Sequence, residues 1–71
     1  MNEYVNVLKE ANFDIVLVTN SVIRFHAHFD DGWRAFAIAI QRQWPIRSIH
    51  RIWPIINNEP TGPYWELKFY I

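Results

Sequence analysis

His26 and His28 stand two residues apart in the run RFHAHFDDGW, Arg24 to Trp33, and Asp30 follows two further on. Side chains at i and i+2 of an extended strand point the same way. Two imidazoles and a carboxylate so placed could grip a zinc ion, with His50 as a remote fourth ligand. The spacing matches no fixed metal motif, however. Alternation with Phe25, Ala27 and Phe29 already puts both histidines on the solvent side of a strand. No metal and no cofactor are therefore expected, and His26 and His28 are the candidates should one bind.

A second constellation pairs arginine with tryptophan. From Gly32 to Asn58 the chain carries Arg34, Arg42, Arg47 and Arg51 and no acid, interleaved with Trp33, Trp44 and Trp53. Guanidinium pairs with phosphate while indole stacks on bases, which is what a single-stranded nucleic-acid surface needs. The same residue types are enriched at protein–protein hot spots. Seven basic residues balance seven acidic ones, and nucleic-acid domains are usually strongly basic, so protein is the favoured partner. Trp33, Trp44, Trp53, Arg34, Arg47 and Arg51 are the candidate partner-binding residues.

Catalytic groups are scarce. The absence of cysteine removes thiol nucleophiles, thiolate metal sites and disulfides. Gly32 and Gly62 are the only glycines, so no phosphate-cradling loop exists. Ser21 and Ser48 lack a nucleophile elbow, and Ser48 near His50 in sequence supplies no preorganised pocket. Asp30 and Asp31 are adjacent, so their carboxylates diverge on a strand, whereas paired-carboxylate chemistry needs convergence. The chain reads as no enzyme.

The elements that carry these residues must come from one domain of 71 residues, a size that buries only about 60–65% of the surface of its unfolded chain. Four Trp, three Tyr and five Phe each bring roughly 150–250 Å² to bury. So small a core cannot hide them all, and the surplus must face outward, where aromatic patches mark contact surfaces. No secretory signal is visible in MNEYVNVLKEAN and no membrane-length apolar run follows, which predicts a cytoplasmic protein that does not enter a membrane.

Tyr4, Val7, Leu8 and Ala11 have the spacing of one helix face, predicting an amphipathic helix over residues 3 to 11 between Asn2 and Asn12. FDIVLVT, about residues 13 to 19, is apolar on both faces (Val16 and Val18 against Phe13, Ile15 and Leu17) and should be covered on both. After the turn pair Asn20-Ser21, VIRFHAHFD and WRAFAIAIQ flank Asp31-Gly32, a strong two-residue hairpin signal. Folding that hairpin sets Ala27 opposite Phe36, Phe25 opposite Ile38 and Ile23 opposite Ile40. It sets His28, His26 and Arg24 opposite a low strip of Ala35, Ala37 and Ala39 that another element could approach. Pro45 with Ile46, Ile49, Ile52 and Trp53 suggests a turn of helix, then a strand near Trp53–Ile56. NNEPTGP reads as a loop. YWELKFYI alternates, with Trp65, Leu67, Phe69 and Ile71 inward and Tyr64, Glu66, Lys68 and Tyr70 outward.

The fold expected is α+β, an N-terminal amphipathic helix packed on an antiparallel sheet of four or five strands. The function expected is a small non-catalytic protein-binding module, working with a protein partner or as a homodimer. By its scale it could be an inhibitor that blocks a partner's surface, for example one carried by a phage or mobile element against a bacterial defence system. The alternatives are a single-stranded nucleic-acid binder using the Arg/Trp surface, and a dimer that sequesters a nucleotide between Trp, His and Arg.

Overall fold

Helical spacing at the N-terminus becomes α1, Asn2–Glu10, in the computed structural model, which describes residues 2–28 and 30–70. Val5 and Leu8 are buried, with Tyr4 and Ala11 packed at the margin of the core. Asn12 ends the helix at a φ of 69°. The amide of Asn12 then donates to the Lys9 carbonyl and that of Phe13 to the Leu8 carbonyl, the paired bonds that close a helix around a left-handed residue.

The strands β1 (Ile15–Val18) and β2 (Val22–His26) follow, then α2 (Asp31–Gln41), β3 (Ile46–Ile52), β4 (Ile55–Ile56), β5 (Glu59–Pro60) and β6 (Tyr64–Phe69). Four strands make one antiparallel sheet in the order β1-β2-β6-β3. Because β6 opposes both β2 and β3, those two run parallel to each other, and α2 makes the crossover between them. Both helices lie on one face. Ile23 and Phe25 of β2 and Leu67 and Phe69 of β6 form the core floor beneath Val5, Leu8, Phe13 and Ala35. The expected α+β arrangement is the one found. No helix of the described residues is long and apolar enough to cross a membrane. Phe29 and Ile71, which alternation assigned to a face, lie outside the described residues.

Three local expectations are overturned. Residues 31 to 41 are a helix and not the second arm of a hairpin, so the cross-strand register through Asp31-Gly32 and its alanine strip do not exist. Alanine is the best helix former, and Ala35 and Ala39 are buried while Ala37 is exposed, which is 3.6-residue and not two-residue spacing. Asp30, at a φ of 68°, turns the chain into the helix. The stretch 46–52 is a strand, without the expected helical turn, and Trp53 lies just beyond it. NNEPTGP holds a second hairpin: Asn57 and Asn58 have φ of 53° and 65°, the positive values a two-residue type I′ turn requires, and β4 pairs with β5 across them.

β1 is an edge strand whose Val16, Leu17 and Val18 are exposed, so the expected cover on both faces is not supplied by this chain.

Candidate functional site

The stripe of α2 that meets the sheet is made of small residues. Gly32, Ala35 and Ala39 are buried together with Asp31. Gly32 is needed for the approach: a Cβ there would sit 2.5 Å from Cζ2 of the Trp65 indole. Of the large apolar residues of α2, Ile38 packs half-buried against the core, and the other three lie on the outward side. Trp33 is 76% exposed, Phe36 41% and Ile40 64%, at the i, i+3, i+7 positions of one outward helix face.

That ridge borders a groove of about 330 Å³ lined by Gly32, Trp33, Phe36, Ile49 and Trp65. A second groove on the same side runs past Ile40 and Ile46 to Arg47. Arg51 holds its guanidinium 5.0 Å from the Trp65 ring and 5.9 Å from the Trp53 ring, and so links the groove to the half-exposed Trp53. β3 is the outer strand here, with Arg47, His50 and Arg51 exposed along it. In the groove wall, the Trp65 indole N–H is buried without an acceptor.

Of the residues singled out from sequence, Trp33, Arg47, Arg51 and Trp53 come together on this side. Trp44 lies just past the C-terminal end of α2, where it lines the second groove with Arg47 but is half-buried, its ring 4.8 Å from Tyr4 and 6.2 Å from Phe69. Arg34 is engaged internally, with Nη1 2.8 Å from Asp31 Oδ1, its guanidinium over Phe13, and a bond to the Ala11 carbonyl. It ties α2 to the end of α1. Arg42 lines a separate cavity with Glu3 and Tyr4. The sequence reading missed Phe36, Ile40, Ile49 and Trp65, and the spacing of 33, 36 and 40 would have found the first two had the segment been read as a helix.

The sheet face away from the helices carries a polar cluster. Glu66, placed on the outward side by alternation, is nevertheless only 7% exposed. Arg24 donates to its carboxylate from Nη2 at 2.7 Å and from Nε at 3.3 Å, while His50 Nε2 lies at 3.4 Å and Lys68 Nζ at 3.6 Å. Burial pushes the Glu66 carboxyl up, but the Arg24 hydrogen bond and the charges of Arg24, Lys68 and His50 outweigh it, so it titrates below its ordinary range. His26 Nε2 sits 3.6 Å from Asp14 Oδ2, and the His26 and His28 rings are 6.1 Å apart. Asp30 has gone to the start of α2 and His50 to Glu66, so the zinc arrangement does not assemble. Among the described residues no three ligating side chains converge on a point. No family model matches the chain, and neither a curated protein nor a solved structure is detectably similar to it.

Proposed function

We propose that this chain is a non-catalytic, cytoplasmic protein-binding module that acts by covering part of a partner's surface, as an inhibitor or adaptor does. Its contact surface is the side formed by α2 and β3. One observation carries the reading: α2 turns Gly32, Ala35 and Ala39 inward and Trp33, Phe36 and Ile40 outward. Large exposed apolar groups set beside arginine are the anchors of protein interfaces, where they fill pockets and exclude water. Trp33, Phe36, Trp53 and Arg51 are the anchors assigned here. The nucleic-acid reading is less well supported, because Arg34 is already paired and the chain has no net positive charge.

The test is site-specific photocrosslinking in native host cells. A photoreactive phenylalanine at position 36 should yield an adduct of defined mass, and the same group at Lys9, on the outer face of α1, should yield none. Trp33→Ala with Ile40→Ala should abolish the adduct. Equal yields from both positions, or no adduct from position 36, would overturn the reading.

A further inference from the structure

We infer that the occupant of the α2/β3 side is an extended acidic segment of a partner protein, added as a fifth strand along the free edge of β3. The inference rests on the protein-binding reading and specifies its ligand.

The sheet has two edges, and they are unlike. β1 offers four uncharged residues with a register break between Ile15 and Leu17, and both shortness and a bulge blunt an edge. β3 offers seven residues, irregular only between Ile46 and Ser48 and in register from Ser48 to Ile52. The amides and carbonyls of that stretch not used by β6 form a template for an incoming strand. The apolar groove between Ile49 and the Trp33–Phe36 pair adjoins the same edge. Ile49 and Arg51 share one face, opposite Leu67 and Trp65, and alternate side chains of an added strand point to one face, so every second residue would be directed to the side of the groove and of Arg51.

Charge selects the partner's composition. Arg47, His50 and Arg51 lie on this strand, and among the described residues neither Arg47 nor Arg51 has a carboxylate within ion-pair distance. Acidic residues in the incoming segment would supply the missing partners. The same charges disfavour a second copy of this chain. The antiparallel pairing of β3 with itself that uses its whole length is centred on Ile49 and sets Arg47 directly opposite Arg51. Like charges directly opposite one another are destabilising.

The experiment titrates the intrinsic tryptophan fluorescence of the full chain with nine-residue probe peptides at low salt. One alternates Val with Glu and one Val with Lys. Two further Val/Glu peptides are N-methylated on one or the other alternate set of residues, and a ten-nucleotide oligothymidylate completes the series. The Val/Glu peptide should bind about tenfold more tightly than the Val/Lys peptide. N-methylation of one alternate set should remove that binding, because it deletes the amides that pair with β3, and Arg47→Glu with Arg51→Glu should reverse the charge preference. Equal binding of the two charged peptides, indifference to N-methylation in both sets, or tighter binding of the oligonucleotide would overturn the inference. Should the position-36 adduct form while the peptides fail in any of these ways, the binding-module reading stands and the acidic strand falls.

Discussion

Replacing each α2 alanine by valine separates a helix from a strand by the sign of the effect. In a helix, Ala→Val costs about 0.6 kcal/mol in propensity wherever it is made, because the branched side chain loses rotamer freedom against the preceding turn. In a strand the same change is favourable, within a scale of about 1 kcal/mol. Ala37 is exposed and Ala35 fully buried, so overpacking adds to the cost only at position 35, by about 1–3 kcal/mol. Ala37→Val should therefore destabilise by about 0.6 kcal/mol and Ala35→Val by about 1.6–3.6 kcal/mol. With a urea m-value near 1 kcal/mol/M, as small domains have, the midpoints should fall by about 0.6 M and about 1.6–3.6 M. The assay is equilibrium urea unfolding followed by tryptophan fluorescence, with m checked for constancy. A rise in midpoint for Ala37→Val, or equal losses at the two positions, would refute the helical placement and with it the outward ridge.

Three further outcomes follow from the packing and charge of the sheet. Glu66 titrates below its unfolded range, so its contribution to stability is fully present above about pH 4.3 and is lost as pH falls through the lower folded value; Glu66→Gln should lower stability at neutral pH by about 1.5–3 kcal/mol and flatten the acid limb of the stability–pH curve. Gly32→Ala gains about 1 kcal/mol of helix propensity, yet its Cβ must displace the Trp65 ring from 2.5 Å; the net result should be destabilisation accompanied by a shift in tryptophan emission, and a stabilised variant with unchanged emission would contradict the close approach. Phe36→Ser with Ile40→Ser should change stability by no more than about 1 kcal/mol, about 0.5 kcal/mol for each surface substitution, while reducing the fluorescence of a dye that reports exposed apolar surface.

What the sequence disclosed depended on whether one period stood alone. Tyr4, Leu8 and Ala11 at helical spacing and the strict alternation of Tyr64 to Phe69 each fit a single template, and α1 and β6 are where those templates put them. In α2 two periods are superposed. Ala35, Ala37 and Ala39 alternate with Phe36, Ile38 and Ile40, and alanine, small enough for either environment, conceals that only positions 35 and 39 are buried. Asp31-Gly32 compounds the error, since the pair suits a hairpin turn as well as an acidic first helical turn. In β3 the three-residue spacing of Ile46 and Ile49 imitates a helix. The irregularity between Ile46 and Ser48 explains it, because the extra residue brings both isoleucines to the core face. Asn57-Asn58 supplies positive φ without glycine, so that hairpin carried no glycine signal. Arg34 looked free because its partners, Asp31 and the Ala11 carbonyl, meet it only once α2 is helical.

The arrangement of α2 bears on why the chain has this sequence. Fully burying a Trp, Phe or Ile side chain is worth about 1.5–3 kcal/mol each relative to leaving it exposed, and a 71-residue domain has only about 4–11 kcal/mol of net stability. A helix shaped by folding alone would place those side chains against Phe25 and Leu67 and put its alanines in water. Here Ile38 packs on the core and Ala37 lies in water, but Gly32 and Ala35 let α2 lie close on Trp65 and the core, and most of Trp33 and Ile40 and part of Phe36 are left in solvent. Their exposure does not weigh against folding, since the unfolded chain exposes them too, but the free energy of covering the parts that stay exposed goes unused in the isolated molecule. It is released when another surface covers them, which makes the α2 ridge an energetic argument for a partner and not merely a compositional one.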